Sequence, residues 1–246
     1  MLLYYITDRN QFPGDEASRR QRLLETITQA ARCGVDYIQL REKDLSARDL
    51  EALTREVVRQ LRTANSEVAT GIPLKPGLPV NPRLLINSRT DIALACGAAG
   101  VHLRSDDISP GEVRKIWSQC GASTRLTVGA SCHTRAEVAR AASEGADFAV
   151  FGPVFEKRSE KPTLPHPPPG GLDGLHEACQ EKIPVLALGG ITLENAEACV
   201  QAGGSGVAGI RLFQANEMNK VVGALRRLKV SAGRETSAHH KNADDR

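Results

Sequence analysis

Hydrophobic positions along this chain fall into short runs that alternate with longer amphipathic segments. Eight runs have the length and character of strands: 2–6 (LLYYI), 36–40 (DYIQL), 83–87 (RLLIN), 99–103 (AGVHL), 125–129 (RLTVG), 147–151 (DFAVF), 184–188 (PVLAL) and 206–210 (GVAGI). Segments 16–33, 46–64, 89–97, 109–119, 134–144, 171–181, 192–203 and 213–228 predict helices. Several begin with a residue able to cap a helix: Ser46 with Asp49, Ser109 before Pro110, Thr134 with Glu137, and Thr192 ahead of Glu194 and Asn195. Gly34, Gly97, Gly121, Gly145 and Gly203 stand where helices should stop.

Eight strand–helix alternations predict an α/β protein, a closed (β/α)8 TIM barrel forming one domain over residues 1–230. A doubly wound open sheet is the competing arrangement. Two segments break the rhythm: 66–82, too dense in Pro and Gly for helix or strand, reads as an insertion before the third strand, and 155–170 as a long loop after the sixth. Residues 231–246 are polar enough to predict a disordered C-terminal tail, which accounts better for the paired histidines there than metal binding does.

Composition narrows the partners. A chain with 41% hydrophobic residues can bury a sizeable core, and a net charge of +3 is too small to imply nucleic acid or an anionic membrane surface. The basic run RRQR lies on a predicted helix, where a solvated face accounts for it. No apolar run approaches the roughly 20 residues that span a bilayer, and the N-terminus lacks the pattern of a secretory signal. The six cysteines are scattered without a CxxC pair, so the expected compartment is the reducing cytoplasm. Small molecules are then the expected partners, and a homodimer is compatible with the sequence.

In a parallel barrel all C-terminal strand ends meet on one face, where the active sites of this fold lie. Those ends read Thr7-Asp8, Gln39 to Asp44, Asn87-Ser88-Arg89, Arg104 to Asp107, Ser131-Cys132-His133, Gly152-Pro153, Gly189-Gly190 and Arg211. Such a rim is cationic with a few carboxylates and suits phosphate esters. Glycines in LALGGIT (186–192) and GVAGIR (206–211) let backbone N–H groups approach an anion, a reading favoured over plain tight turns because both positions agree. Arg41 and Lys43 alternate after the second strand and suit a diphosphate; the competing reading pairs them with Glu42 or Asp44. Asp107 is placed to hold the Mg2+ a diphosphate needs, or else Asp106-Asp107 is helix-start chemistry. His133 faces the expected pocket as a proton carrier or has only a supporting role.

The segments YYITDR, YIQLREKD, LLINSRTDIALACGAAGVHLRSDD, VGASCHTRAEVARAASEGADFAVFGPVF, IPVLALGGIT and GGSGVAGI resemble the thiamine phosphate synthase family and its relative, thiazole tautomerase, over residues 3–228. The resemblance implies a (β/α)8 transferase that joins hydroxymethylpyrimidine diphosphate to thiazole phosphate and releases pyrophosphate. It implies that Gln39, Leu40, Arg41, Glu42, Lys43, Asn87 and Ser131 bind the pyrimidine diphosphate. It further assigns Mg2+ to Asp107 and Ser88, and the thiazole phosphate to Gly189, Gly190, Ile210 and Arg211, with Ser159 and Lys161 in the loop after GPVF. Arg41, Lys43, Ser131 and His133 form the implied catalytic set. Three positions depart from the family pattern: Asn87-Ser88 replaces Asn-Asp, the segment Lys157 to Lys161 replaces Thr-x-Thr-Lys, and Arg211 replaces a serine. The alternatives are a tautomerase with His133 as acid and base, and a non-catalytic binder of phosphorylated ligands.

Overall fold

The computed structural model describes residues 1–69, 82–121, 125–155 and 170–228, with the side chains of 64–69 excepted. Its eight strands are β1 (Leu2–Ile6), β2 (Tyr37–Leu40), β3 (Arg83–Asn87), β4 (Gly100–Leu103), β5 (Thr127–Cys132), β6 (Phe148–Phe151), β7 (Val185–Ala187) and β8 (Gly206–Gly209). Each pairs in parallel with the next, and β8 returns to β1, so the sheet closes into a barrel. The expected (β/α)8 arrangement is therefore the one observed, and the open sheet is excluded.

The strands carry two apolar faces because side chains alternate along them. Tyr4, Ile6, Leu85, Phe148, Val150, Leu186 and Ala208 fill the barrel interior. Their chain neighbours Leu3, Tyr5, Ile38, Leu40, Leu84, Ile86, Val101 and Val207 pack outward in the layer shared with the helices. Gly129 is required inside: a Cβ there would stand 2.6 Å from Phe148 Cζ and 2.8 Å from His102 Nδ1.

Around the barrel run α1 (Glu16–Cys33), α2 (Ala47–Ala69), α3 (Thr90–Cys96), α4 (Pro110–Gln119), α5 (Arg135–Ser143), α6 (Gly171–Ala178), α7 (Ala196–Gln201), α8 (Arg211–Gln214) and α9 (Met218–Arg227). The anticipated capping chemistry starts three of them: Ser46 Oγ accepts the Asp49 N–H at 3.2 Å at α2, Ser109 with Glu112 forms a capping box at α4, and Thr134 with Glu137 at α5. Gly34 and Gly97 end α1 and α3 with φ of 83° and 67°, values that glycine adopts without strain.

Several sequence boundaries need correction. The second helix continues to Ala69, so residues 66–69 are helical rather than part of an insertion, and 70–81 lie outside the described residues. Strand β5 is displaced toward its C-terminus, which puts Ser131 and Cys132 inside the strand instead of beyond it. The helix expected at 192–203 starts only at Ala196, because Asn195 folds its side chain back onto the Thr192 N–H at 2.8 Å. The helix expected over 213–228 is two helices, since the Asn216 side chain donates to Leu212 O at 3.0 Å and closes α8. The tail beyond residue 228 and the loop 156–169 lie outside the described residues.

We expect Gly129→Ala to lower stability by about 1–3 kcal/mol through overpacking against Phe148 and His102. For a chain of this length that is a fall in Tm of about 2–12 °C, readable by thermal denaturation. An unchanged Tm would mean that the interior layer is not packed as described.

Candidate active site

The geometry of the barrel mouth begins with a buried charge. Glu42, just beyond β2, is 3% exposed. The Thr7 hydroxyl donates to its Oε1 at 2.5 Å, and the Arg9 N–H and Arg9 Nη1 donate to its Oε2 at 3.0 and 3.2 Å. Arg9 also donates twice to Asp44, at 2.7 and 2.9 Å, and to Glu16 at 2.7 Å. Three carboxylates around one guanidinium raise its pKa well above the usual arginine value, and Arg9 in turn holds the Asp44 carboxyl at about 2. A buried carboxylate without such partners would be strongly destabilising.

This network decides the state of Arg41. The Thr7 hydroxyl, while donating to Glu42, accepts the Arg41 N–H at 3.0 Å and fixes the backbone there. Glu42 and Asp44, which the sequence offered as partners for the cations after β2, are both bonded to Arg9. Among the described residues, the half-buried Arg41 guanidinium makes no hydrogen bond or ion pair. Burial pulls its pKa down, the Asp8 and Glu42 carboxylates oppose that, and the Arg104 charge adds to it. A partly desolvated, unpaired guanidinium gains more from an anionic ligand than one already held by a carboxylate.

The polar residues at the ends of β3 and β4 divide into two sets. Arg89 pairs with Asp91 through two contacts, at 2.9 and 2.6 Å, and Arg104 pairs with Asp106 in the same way, its Nε at 2.8 Å. These are local surface pairs. Asn87, Ser88 and Asp107 are only partly exposed. Asn87 Nδ2 donates to Ser88 Oγ at 3.1 Å, and the Ser88 N–H donates to His102 O at 2.9 Å. Ser88 has φ of 60°, in the left-handed region where Asn, Asp and Gly are more at ease. Asp107 does not cap α4, because Ser109 does; its carboxylate accepts the Arg104 N–H at 2.7 Å.

Below the rim lies a polar layer in which the expected Gln39 and Ser131 are joined by Tyr4 and His102, which the sequence reading passed over. Gln39 is buried and donates to Tyr4 Oη at 3.0 Å. His102 is 3% exposed, and its Nε2 is 2.9 Å from Ser131 Oγ. Its ring lies 5.6 Å from that of Tyr4. Burial, then repulsion from Arg41, pushes the imidazole down to about 3. The signal was available in the run GVHL, where His102 is the one polar side chain, in register with Asn87 across the β3–β4 pair.

The remaining candidates are placed as follows. Leu40 points into the outer apolar layer, so only its backbone can face a ligand. Lys43 is exposed in the turn after β2. His133 is exposed and held by two bonds of 2.5 Å, its N–H donating to Glu137 and its Nδ1 paired with Gly152 O. Gly189, with φ of 98°, has room for no Cβ, since Pro153 Cα would lie 2.6 Å from it. Asn195 donates to Gly190 O at 2.9 Å and so braces the turn after β7. Ile210 and the exposed Arg211 open α8. Ser159 and Lys161 lie outside the described residues. All six cysteines are free thiols, and no described helix is long and apolar enough to cross a membrane.

A closed barrel with an unpaired arginine and a polar floor at the C-terminal strand ends has the architecture of (β/α)8 enzymes, whose active sites lie on that face. A family model described as thiamine monophosphate synthase matches residues 3–70 and 78–213. The thiamine-phosphate synthase of Roseiflexus sp. (strain RS-1) is 36% identical over 208 residues, covering 84% of this chain and 75% of its own. That of Albidiferax ferrireducens is 32% identical, covering 85% and 82%. The solved thiamine phosphate pyrophosphorylase from Pyrococcus furiosus superposes with a TM-score of 0.69 at 27% identity, covering 92% and 94%. The chain belongs to the thiamine monophosphate synthase family, whose members are transferases coupling a pyrimidine to a thiazole.

The buried His102 has a consequence for acid stability. Its folded value of about 3 lies below the unfolded value of about 6.5, so the unfolded chain takes up the proton first on acidification. The stabilisation is full above about pH 6.5 and is lost as pH falls from there toward 3, on the order of 1 kcal/mol per unit. Urea midpoints between pH 7.5 and 5 should therefore fall more steeply for the wild type than for His102→Gln. Parallel slopes would show that the imidazole is not buried as a neutral group.

Proposed function

We propose that this chain is a thiamine-phosphate synthase whose pyrimidine diphosphate is anchored by Arg41, the observation that carries the assignment being the commitment of Glu42 and Asp44 to Arg9. Arg41, Lys43 and Asn87 receive the diphosphate, and Gln39 and Ser131 lie against the pyrimidine ring. Backbone groups at Gly190 and Ile210, with the Arg211 cation, receive the thiazole phosphate across the mouth. The carbon–oxygen bond to the diphosphate breaks, the electron-rich pyrimidine supports the cationic methylene, and the thiazole nitrogen supplies the electron pair of the new carbon–nitrogen bond. Pyrophosphate carries away the charge that Arg41 and Lys43 stabilise as it develops. The coupling needs no proton from His133, which fits an imidazole already bonded to a backbone carbonyl.

The donor set suits a Mg2+ that arrives with the diphosphate. Among the described residues no cluster of three or more His, Cys, Asp or Glu is placed to hold a metal. Asp107 supplies one carboxylate and Ser88 one hydroxyl, and Mg2+ commonly keeps several waters and takes its other oxygens from substrate phosphates. When bound, such an ion neutralises the departing diphosphate.

Incubation with hydroxymethylpyrimidine diphosphate, thiazole phosphate and Mg2+ should yield thiamine phosphate and pyrophosphate in equal amounts. A folded protein that forms neither overturns the assignment. Asp107→Ala should raise the Mg2+ concentration for half-maximal rate at least tenfold, because Ser88 offers no second carboxylate. Ser88→Asp should lower it. Unchanged Mg2+ dependence in both variants would remove these residues from the metal.

A further inference from the structure

We propose that His102 is a positioning residue that orients the Ser131 hydroxyl as a hydrogen-bond donor toward the mouth, so that the site selects a ligand ring presenting a bare acceptor nitrogen there. The ligand part of this proposal rests on the transferase reading; the state of the imidazole does not.

The geometry leaves the ring few choices. His102 Nε2 meets Ser131 Oγ at 2.9 Å, across the β4–β5 pair. The opposite nitrogen, Nδ1, is buried and has no hydrogen-bond partner among the described residues. It faces the place where Gly129 lacks a side chain: a Cβ there would lie 2.8 Å from Nδ1 and 2.6 Å from Phe148 Cζ, so its surroundings are apolar. Among the described residues no carboxylate bonds to the ring, and the Arg41 charge opposes a second proton. The imidazole therefore carries one proton, on one nitrogen or the other.

The two placements are not equivalent. A proton on Nδ1 would leave a buried N–H donor pointing at Gly129 and Phe148 with nothing to accept it. A proton on Nε2 is satisfied by Ser131 and leaves only an unused lone pair on Nδ1. Orphaned buried N–H donors are rarer in folded proteins than under-satisfied acceptors, because their desolvation is harder to offset. The Nε2–H form therefore prevails, and His102 donates to Ser131 Oγ.

That direction sets the chemistry Ser131 can offer. With its oxygen accepting from His102, the hydroxyl hydrogen is not used inside the barrel, and Ser131 makes no other side-chain hydrogen bond among the described residues. Ser131 is part-exposed, so its hydrogen is available to the mouth. A pyrimidine nitrogen with an in-plane lone pair accepts it. An oxo-pyrimidine whose corresponding nitrogen bears hydrogen would set donor against donor and be rejected. Gln39, donating to Tyr4 Oη across the β1–β2 pair, belongs to the same floor.

The first experiment is a long-range proton–nitrogen NMR correlation on uniformly 15N-labelled protein without ligand, with His102 identified by the loss of its signals in His102→Gln. The expected pattern is a protonated Nε2 and a bare Nδ1. The reverse pattern, or a doubly protonated ring at pH 7, overturns the proposal whatever the protein catalyses. The second arm reads ligand binding. His102→Leu should raise the KM for pyrimidine diphosphate about tenfold or more and leave that for thiazole phosphate within about twofold. His102→Gln, whose amide N–H can replace the Nε2 donor, should recover most of the loss. The double variant His102→Leu/Ser131→Ala should bind no worse than Ser131→Ala alone. Additive losses would show that His102 does not act through Ser131 and would overturn the proposal. A total absence of thiamine phosphate formation in the folded wild type would instead refute the transferase reading, with the NMR result still deciding the tautomer.

Discussion

The mouth of this barrel depends on how one buried carboxylate is neutralised. Glu42 is taken out of water just past the end of β2, where an unpaired charge would cost several kcal/mol. Arg9, itself buried, meets it with a backbone and a side-chain donor and also holds Asp44 and Glu16. One arginine thereby holds Glu42 and Asp44, the two acids that flank Arg41 and Lys43 along the chain, and the Asp8 carboxylate acts on Arg41 through charge alone. The attraction that stabilises the β1–β2 corner is also what leaves a cation available to a ligand.

Strand alternation does the rest. Residues of one parity build the apolar layer under the helices, and those of the other line the interior, so Gln39, His102 and Ser131 share the floor although they come from three strands. The floor is made polar at a cost in desolvation, visible in the low pKa of His102 and the raised one of Tyr4. It is kept tight by aromatic contacts, Tyr4 meeting Phe148 edge-on at 5.4 Å. A polar floor inside an otherwise apolar barrel is hard to explain by packing alone and suits recognition of a heteroaromatic ring.

Much of this was legible in the sequence, for identifiable reasons. Eight apolar runs at regular spacing are a strong signal, and the Ser109 and Thr134 capping boxes lie where their spacing indicated. What failed was local. The break at Asn216 depends on a side-chain bond that periodicity does not encode, and α2 runs on to Ala69 where the apolar pattern no longer marks it. Arg9 and His102 were passed over because Arg9 is one of five consecutive polar residues after β1 and His102 is a single polar residue within an apolar strand. Their importance comes from partners 33 and 29 residues away, Glu42 and Ser131. Arg89 and Arg104 looked like members of a ligand-binding rim, yet both are satisfied by carboxylates two residues along the chain. Charge at a strand end is easily read from sequence; whether that charge is already neutralised is not.

That distinction is directly measurable. Calorimetric titration of inorganic pyrophosphate into the wild type, Arg41→Gln and Arg89→Gln compares an arginine left unpaired with one already held by Asp91. Arg41→Gln should weaken binding by about 10- to 100-fold, the equivalent of one charge-assisted contact of about 1.5–3 kcal/mol, whereas Arg89→Gln should change it by less than about twofold. Equal losses in the two variants, or no loss in Arg41→Gln, would contradict the claim that Arg9 holds the neighbouring acids so that Arg41 can bind a diphosphate.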